Sequence, residues 1–325
     1  MLETLKKGYL CHPQQLYTLR NVTLEQGKAR GTRVIEICTA GGLQIDLLPD
    51  TGLDIGQVRY KGVNMTYISC NGYDSPTAFI PYENEFVTTF PGGLLYTCGL
   101  RTTGDPHRDG NEWKPFHGRY HGLMAEQVCA KEENGVITVT GILRETALGS
   151  HFLEVRRTIT IPVTGTEITV SDEITNLTHH DQELAVLYHC NYGYPLLTDK
   201  AYVDLPQKRK TTPRTPFAAT ILGKETTFDA PLPGVEESVF FHEEMERRAA
   251  IVNEELGVRA ELRWSDSLPI LSHWRSVASG DYVCGLEPTN CYLLGAKRER
   301  ENGTLPVLKP FETFKAQVHF TFSDI

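Results

Sequence analysis

Nothing in this 325-residue chain is both long and uninterruptedly apolar. No stretch approaches the roughly 20 consecutive apolar residues that a membrane-spanning helix needs, and Met1–Gly8 lacks the apolar run of a secretory signal peptide. Positive charge is scarce as well: 32 Lys and Arg against 41 Asp and Glu leave a net charge of -9. That excludes nucleic acid or an anionic membrane as the main partner, because both require a cationic surface. The eight cysteines, at positions 11, 38, 70, 98, 129, 190, 284 and 291, form no C-x-x-C pair and keep no regular spacing. A zinc ribbon or a disulfide framework is therefore not expected, and the thiols are read as reduced, mostly buried and cytoplasmic. The pairs Gly41-Gly42 and Gly92-Gly93 open no helical pattern and precede no Lys-Ser/Thr, so neither is a phosphate loop. There is no Gly-x-Ser-x-Gly elbow, internal repeat or low-complexity tract.

What the chain does have is period-2 alternation. Phe314–Phe322 alternates apolar and polar without a break, and Val258–Trp264 puts Val258, Ala260, Leu262 and Trp264 on one face. The runs Val136–Leu143, Leu153–Ile161 and Glu167–Ile174 are rich in Val, Ile and Thr, and the segments Glu133–Gly135, Ala147–Ser150 and Pro162–Gly165 divide them with turn chemistry. Such closely spaced hairpins predict antiparallel sheets rather than βαβ units. The one helix candidate is Glu243–Arg248, where acidic residues precede basic ones; its competing reading is a charged lead-in to the strand Ala249–Asn253. Pro206–Pro216, carrying Lys208, Arg209, Lys210 and Arg214, reads as a solvated loop, with a patch attracting an anionic substrate as the minority alternative. Neither this segment nor Pro231–Gly234 has the composition of a domain linker, so residues 1–325 are expected to form one domain.

Two segments carry the chemistry. Leu187–Pro195 and Gly285–Cys291 each end an apolar, strand-like run with one ionisable side chain, His189 in the first and Glu287 in the second. A histidine and a carboxylate brought together by folding supply a general acid and a general base. Each has a structural alternative: a satisfied core histidine for His189, and a salt bridge to an arginine such as Arg275 for Glu287.

The surrounding motifs resemble those of aldose 1-epimerases, the galactose mutarotase-like proteins. Asn176–Thr178, His189 and Leu286-Glu287 stand where that family has its Asn-Leu-Thr, its acid histidine and its base, and Phe116-His117-Gly118 is similar to its Leu-His-Gly. The likeness is closer to a poorly characterised branch of the superfamily, through Gly92–Leu100, His117–Arg119, Tyr188–Pro195 and Gly285–Asn290. The resemblance runs from about residue 35 to the end. It implies an all-β, galactose mutarotase-like β-supersandwich of antiparallel sheets with few short helices. It also implies a cofactor-independent epimerase in which Glu287 is the base and His189 the acid. His117, Arg119 and Asn191 would then bind the sugar, with Trp274 stacking on it and Arg275 beside it. The partner implied is a small carbohydrate, and the protein itself a monomer or homodimer. The family's Gly-Arg-x-x-Asn-Arg segment is replaced here by Gly92–Leu100, its sugar-binding aspartate has no match, and Cys190–Gly193 intervenes after the acid histidine. The sugar pocket is therefore expected to differ.

Anomer exchange needs these residue types because a base must take the anomeric hydroxyl proton while an acid protonates the ring oxygen, opening the hemiacetal. Other readings are a non-catalytic carbohydrate-binding protein of the same fold, and a lyase or isomerase taking a proton next to a carbonyl. A rival metal site would gather His107, Glu112, His117 and His121, although no His-Glu-x-x-His stands there and Pro115 interrupts a helix.

Overall fold

The computed structural model describes residues 7–325; Met1–Lys6, most of the segment read as lacking a signal peptide, lie outside the described residues. Strands dominate. Arg33–Thr39, Leu43–Leu48 and Asp54–Tyr60 belong to a five-stranded antiparallel sheet that begins with Tyr17–Thr23. An eight-stranded sheet contains the predicted hairpins as Val136–Ala147, His151–Pro162 and Glu167–Asn176, followed laterally by Thr313–Asp324 and Val258–Trp264. The antiparallel sheets expected from the alternation form, in the supersandwich that the resemblance implies. Its described α-helices are short: Phe86–Thr89, Pro216–Thr220 and Ala296–Asn302. None is long and apolar enough to cross a membrane.

The helix candidate at Glu243–Arg248 is not helical. Glu243 closes the strand Ser238–Glu243 of a six-stranded sheet and Arg248 opens Arg248–Asn253 of the eight-stranded one, so the charges sit on the short connection between two sheets. The short-range order of acids and bases is outweighed here by the apolar runs on either side, which have sheet partners to bury against. The cysteines also divide differently: Cys98, Cys190, Cys284 and Cys291 are buried, whereas Cys11, Cys38, Cys70 and Cys129 are exposed, and all are free thiols.

The six-stranded sheet positions the site. Its lateral order is Lys210–Pro213, Ser238–Glu243, Ile270–Ala278, Asp281–Thr289, Ala185–Tyr192 and Tyr96–Leu100. Because alternate side chains leave opposite faces of a strand, each of the inner strands feeds two environments. Val186, Tyr188, Cys190 and Tyr192, with Leu271, Val277, Cys284 and Leu286, enter the main core together with residues of the eight-stranded sheet such as Val155, Val170 and Phe320. The other face presents Leu187, Ile270 and Val283 to a second cluster containing Tyr67, Phe86, Phe90 and Tyr96. One sheet thus has a sealed face and a working face.

A buried charge network ties the sheets together. The Arg157 guanidinium, fully enclosed, donates to both oxygens of Asp172 at 2.8 and 2.7 Å and to Thr97 Oγ1 at 2.9 Å, and it also reaches Asp54. Tyr188 donates its hydroxyl to Asp172 at 2.8 Å. Arg157 and Asp172 belong to the eight-stranded sheet, Thr97 and Tyr188 to the six-stranded one, and Asp54 to the five-stranded one. All the strong donors find acceptors, as a buried guanidinium requires.

Candidate active site

Register brings His189 and Glu287 together. The ladder between their strands pairs Leu187 with Thr289 and Cys190 with Leu286, which sets His189 directly opposite Glu287. On the next strand Glu287 pairs with Ser272, and Ser272 in turn with Phe241; on the far side His189 pairs with Tyr96. One lateral row therefore reads Phe241, Ser272, Glu287, His189, Tyr96. Directly opposed side chains on one face lie about 5 Å apart at Cβ, close enough for acid and base to meet. His189 Nε2 stands 3.4 Å from Glu287 Oε1, and Ser272 donates its hydroxyl to Glu287 Oε2 at 2.9 Å.

The neighbouring row makes room for the carboxylate. It pairs Val239 with Trp274, Trp274 with Gly285 and Gly285 with Asn191. A methyl group at Gly285 would collide with Glu287 Oε1 and approach Trp274 Cβ to 3.2 Å. The glycine before Leu286-Glu287 is thus a spatial requirement of the glutamate.

His117 arrives from outside the sheet. Its backbone lies in the left-handed region, with φ of 55°, and is pinned on both sides: its N–H donates to Gly104 O at 3.0 Å and its carbonyl accepts from Gly99 N at 2.8 Å. The Gly104 N–H also donates to His117 Nδ1 at 3.2 Å. Nδ1 is thereby an acceptor, so the neutral ring carries its proton on Nε2. The rings of His117 and His189 are perpendicular with centroids 5.9 Å apart.

These groups line a cavity of about 520 Å³, within the range of small-molecule sites. Trp274 forms part of its wall, its ring centroid 5.5 Å from that of His189 and its indole N–H donating to Glu237 Oε2 at 2.8 Å. Phe86, Phe90 and Phe116 line another part.

Burial governs the protonation of the pair. His189 and Glu287 are 5% and 2% exposed. Desolvation raises the Glu287 carboxyl to about 8, against opposing help from the Ser272 hydroxyl, and lowers His189 to about 4. Near neutrality the pair holds one titratable proton, on Glu287. Glu287 Oε1 and His189 Nδ1 are buried without a protein hydrogen-bond partner. Orphaned polar atoms of this kind are uncommon in native structures and mark a place prepared for a ligand or a proton.

The remaining sequence candidates separate. Asn191 shares a sheet face with His189, but the Gly92-Gly93 crossing covers it: its amide donates to Gly93 O and His189 O at 3.0 Å, and it does not line the cavity. Arg275 is adjacent to Trp274 and so leaves the opposite face of the strand. It donates to Thr227 O at 3.0 Å and packs its guanidinium over Phe228, away from the cavity. Arg119 also lies off the cavity, where its charge bears on Glu145 and His151. The rival metal set does not assemble: Glu112 pairs with Arg101 and Lys114, His121 stacks on Tyr96, and among the described residues no three His, Cys, Asp or Glu side chains converge on a metal position.

Sequence reasoning missed Ser272, Glu237 and Arg214. Ser272 was accessible in principle, since it lies two residues before Trp274 and must share its face. Arg214 belongs to the basic segment read as a solvated loop. Lys210 pairs with Glu243 and Arg209 with Glu225, but Arg214 turns to the cavity and makes only long contacts, to Asp105 at 3.3 Å and Leu293 O at 3.4 Å.

The fold and the arrangement of the strands are similar to those of solved galactose mutarotase-like proteins. It resembles a "putative aldose 1-epimerase" from Klebsiella pneumoniae subsp. pneumoniae MGH 78578, with a TM-score of 0.87 at 21% identity over 94% of this chain and 83% of that one. A galactose mutarotase-like protein from Clostridium acetobutylicum matches with a TM-score of 0.69 at 13% identity, covering 96% of this chain and all of the other. Galactose 1-epimerase from Lactobacillus acidophilus NCFM matches at 0.64 and 13% identity, covering 94% and 99%. The chain belongs to DUF4432, a domain of unknown function, which it matches over residues 29–322. No curated protein shows significant sequence similarity to it.

Proposed function

We propose that this protein is a cofactor-independent aldose 1-epimerase, with Glu287 and His189 exchanging protons with one sugar. The observation that carries the reading is the cross-strand pair itself: a carboxyl and an imidazole 3.4 Å apart, desolvated, holding one proton between them and floored into a sugar-sized cavity. A hydroxylated ligand bridging the two, with Ser272 and Arg214 near the carboxylate, favours ionised Glu287 and passes the shared proton to His189. Glu287 then takes the anomeric hydroxyl proton while His189 protonates the ring oxygen. The hemiacetal opens, C1–C2 rotates, and reclosure from the other face returns both protons.

His117 contributes an Nε2–H donor of fixed tautomer, and Trp274 an aromatic face on which the apolar face of a sugar ring stacks. Similarity of fold supports the class of reaction, and the pair's geometry supports its application here. A binding protein of the same fold would tolerate Glu287→Gln with its sugar affinity intact and would not accelerate anomer exchange. One-dimensional exchange NMR of equilibrated aldoses tests the proposal: wild type should broaden or exchange the anomeric signals, and Glu287→Gln should not.

A further inference from the structure

The row that holds the acid and base is chemically asymmetric. Beyond Glu287 the row runs through Ser272 to Phe241, which does not line the cavity. On that side the cavity wall carries the Glu237 carboxylate, held by Trp274 of the neighbouring row, and the Arg214 charge reaches Glu287. Beyond His189 the row continues into Tyr96. Above that end sit Phe90, 5.4 Å from the His189 ring and 5.2 Å from Tyr96, and Phe86, 5.1 Å from Phe90. Phe86 and Phe116 both pack on His117, at 5.2 and 4.3 Å.

The polar side chains nearest Phe90 have spent their donors. Ser69 donates its hydroxyl to Phe90 O at 2.6 Å, and the Asn71 amide donates to Val87 O and Phe90 O at 3.0 Å each. This end of the cavity can clasp an apolar group and offers a hydroxyl no free side-chain donor beyond the imidazoles themselves.

With the anomeric hydroxyl on Glu287 and the ring oxygen on His189, the carbon next in the ring is C5, and its exocyclic substituent falls at the phenylalanine end. Resting on the epimerase orientation above, we infer that the cavity selects an aldose whose exocyclic group is apolar, a 6-deoxyhexose, over the parent hexose and over its 6-phosphate. A hydroxymethyl group there loses its water and gains no donor beyond the two imidazoles, one of which the ring oxygen already engages. A phosphate fares worse: among the described residues Arg214 is the one Lys or Arg lining the cavity, and it shares it with Glu237 and Asp281. The C2 hydroxyl, across the ring from C5, faces the other end, where carboxylate oxygens and the loosely held Arg214 guanidinium remain free to accept and donate.

The test uses matched trios in the gluco, galacto and manno series of both D and L configuration: each 6-deoxyhexose, its parent hexose and that hexose's 6-phosphate. Binding to the wild-type protein is measured by calorimetry, and anomer exchange by NMR on the same samples. At least one trio should show a preference of about tenfold or more for the 6-deoxy sugar in both measurements, the size of discrimination one small group gives in an apolar pocket. Equal or tighter binding of the parent hexose or its phosphate in every trio, or no binding in any, overturns the inference. Binding that favours the 6-deoxy sugar without any acceleration of exchange supports the inference and sinks the epimerase reading instead.

Discussion

Glu287 is held in a state that costs stability and readies it for proton transfer. Its carboxyl, raised from 4.5 to about 8, folds more readily protonated than ionised. The cost is absent below pH 4.5, grows as pH rises through the interval to about 8, and is constant above it. Glu287→Gln removes it, so the variant should match wild type in thermal stability near pH 4.5 and exceed it by about 2–4 kcal/mol at pH 9, read by calorimetric melting across pH. His189, lowered from 6.5 to about 4, acts in the other direction, withdrawing stability as pH falls from 6.5 towards 4. Catalysis needs one proton on the pair. The exchange rate should therefore follow a bell, falling below about pH 4 when a second proton arrives and above about pH 8 when the last one leaves, both limbs belonging to the pair rather than to either residue. A flat profile from pH 5 to 10 would contradict this.

At the scale of the strand, alternation decides which residues serve the site. Trp274 and Arg275 were both expected at the sugar, yet neighbours on a strand cannot share a face, and Arg275 is spent on Thr227 and Phe228. Arg275→Ala should cost about 1–3 kcal/mol in urea unfolding through the lost hydrogen bond and packing and leave KM within twofold, whereas Trp274→Ala should raise KM. Gly285→Ala should fold, because the obstructed atom is the end of a side chain, but displace the Glu287 carboxylate and lower kcat at least tenfold with little change in melting temperature. The individual strands were legible from period-2 patterning, and so were His189 and Glu287 as the ionisable groups of two apolar runs, although both lie within their strands, Ala185–Tyr192 and Asp281–Thr289, rather than ending them. The facing of Arg275 was legible too, had the same alternation been applied to it. Lateral register was not: no local pattern says that Leu187 pairs with Thr289, and on that pairing rests the meeting of acid and base. Asn191 shows the same limit, since its cover is the distant Gly92-Gly93 crossing.

At the scale of the molecule, a rigid scaffold holds a site that is left incompletely satisfied. The Arg157 network joins three sheets and touches Thr97 and Tyr188, which directly flank Tyr96 and His189 in sequence. Arg157→Met leaves Asp172 and Asp54 buried without their cation and should destabilise the protein by about 3–5 kcal/mol in urea unfolding. The antiparallel architecture was readable in advance because turns and alternation recur along the chain. The inward turn of Arg214 was not, since a basic proline-flanked segment has the composition of a solvated loop wherever it points. The central claim is that the His189–Glu287 pair interconverts sugar anomers, and exchange NMR of an aldose panel tests it most directly. Wild type should accelerate exchange of at least one aldose, with Glu287→Gln and His189→Asn each lowering the rate by at least 100-fold while the sugar still binds. Acceleration that survives Glu287→Gln, or no acceleration for any aldose that binds, would contradict the account.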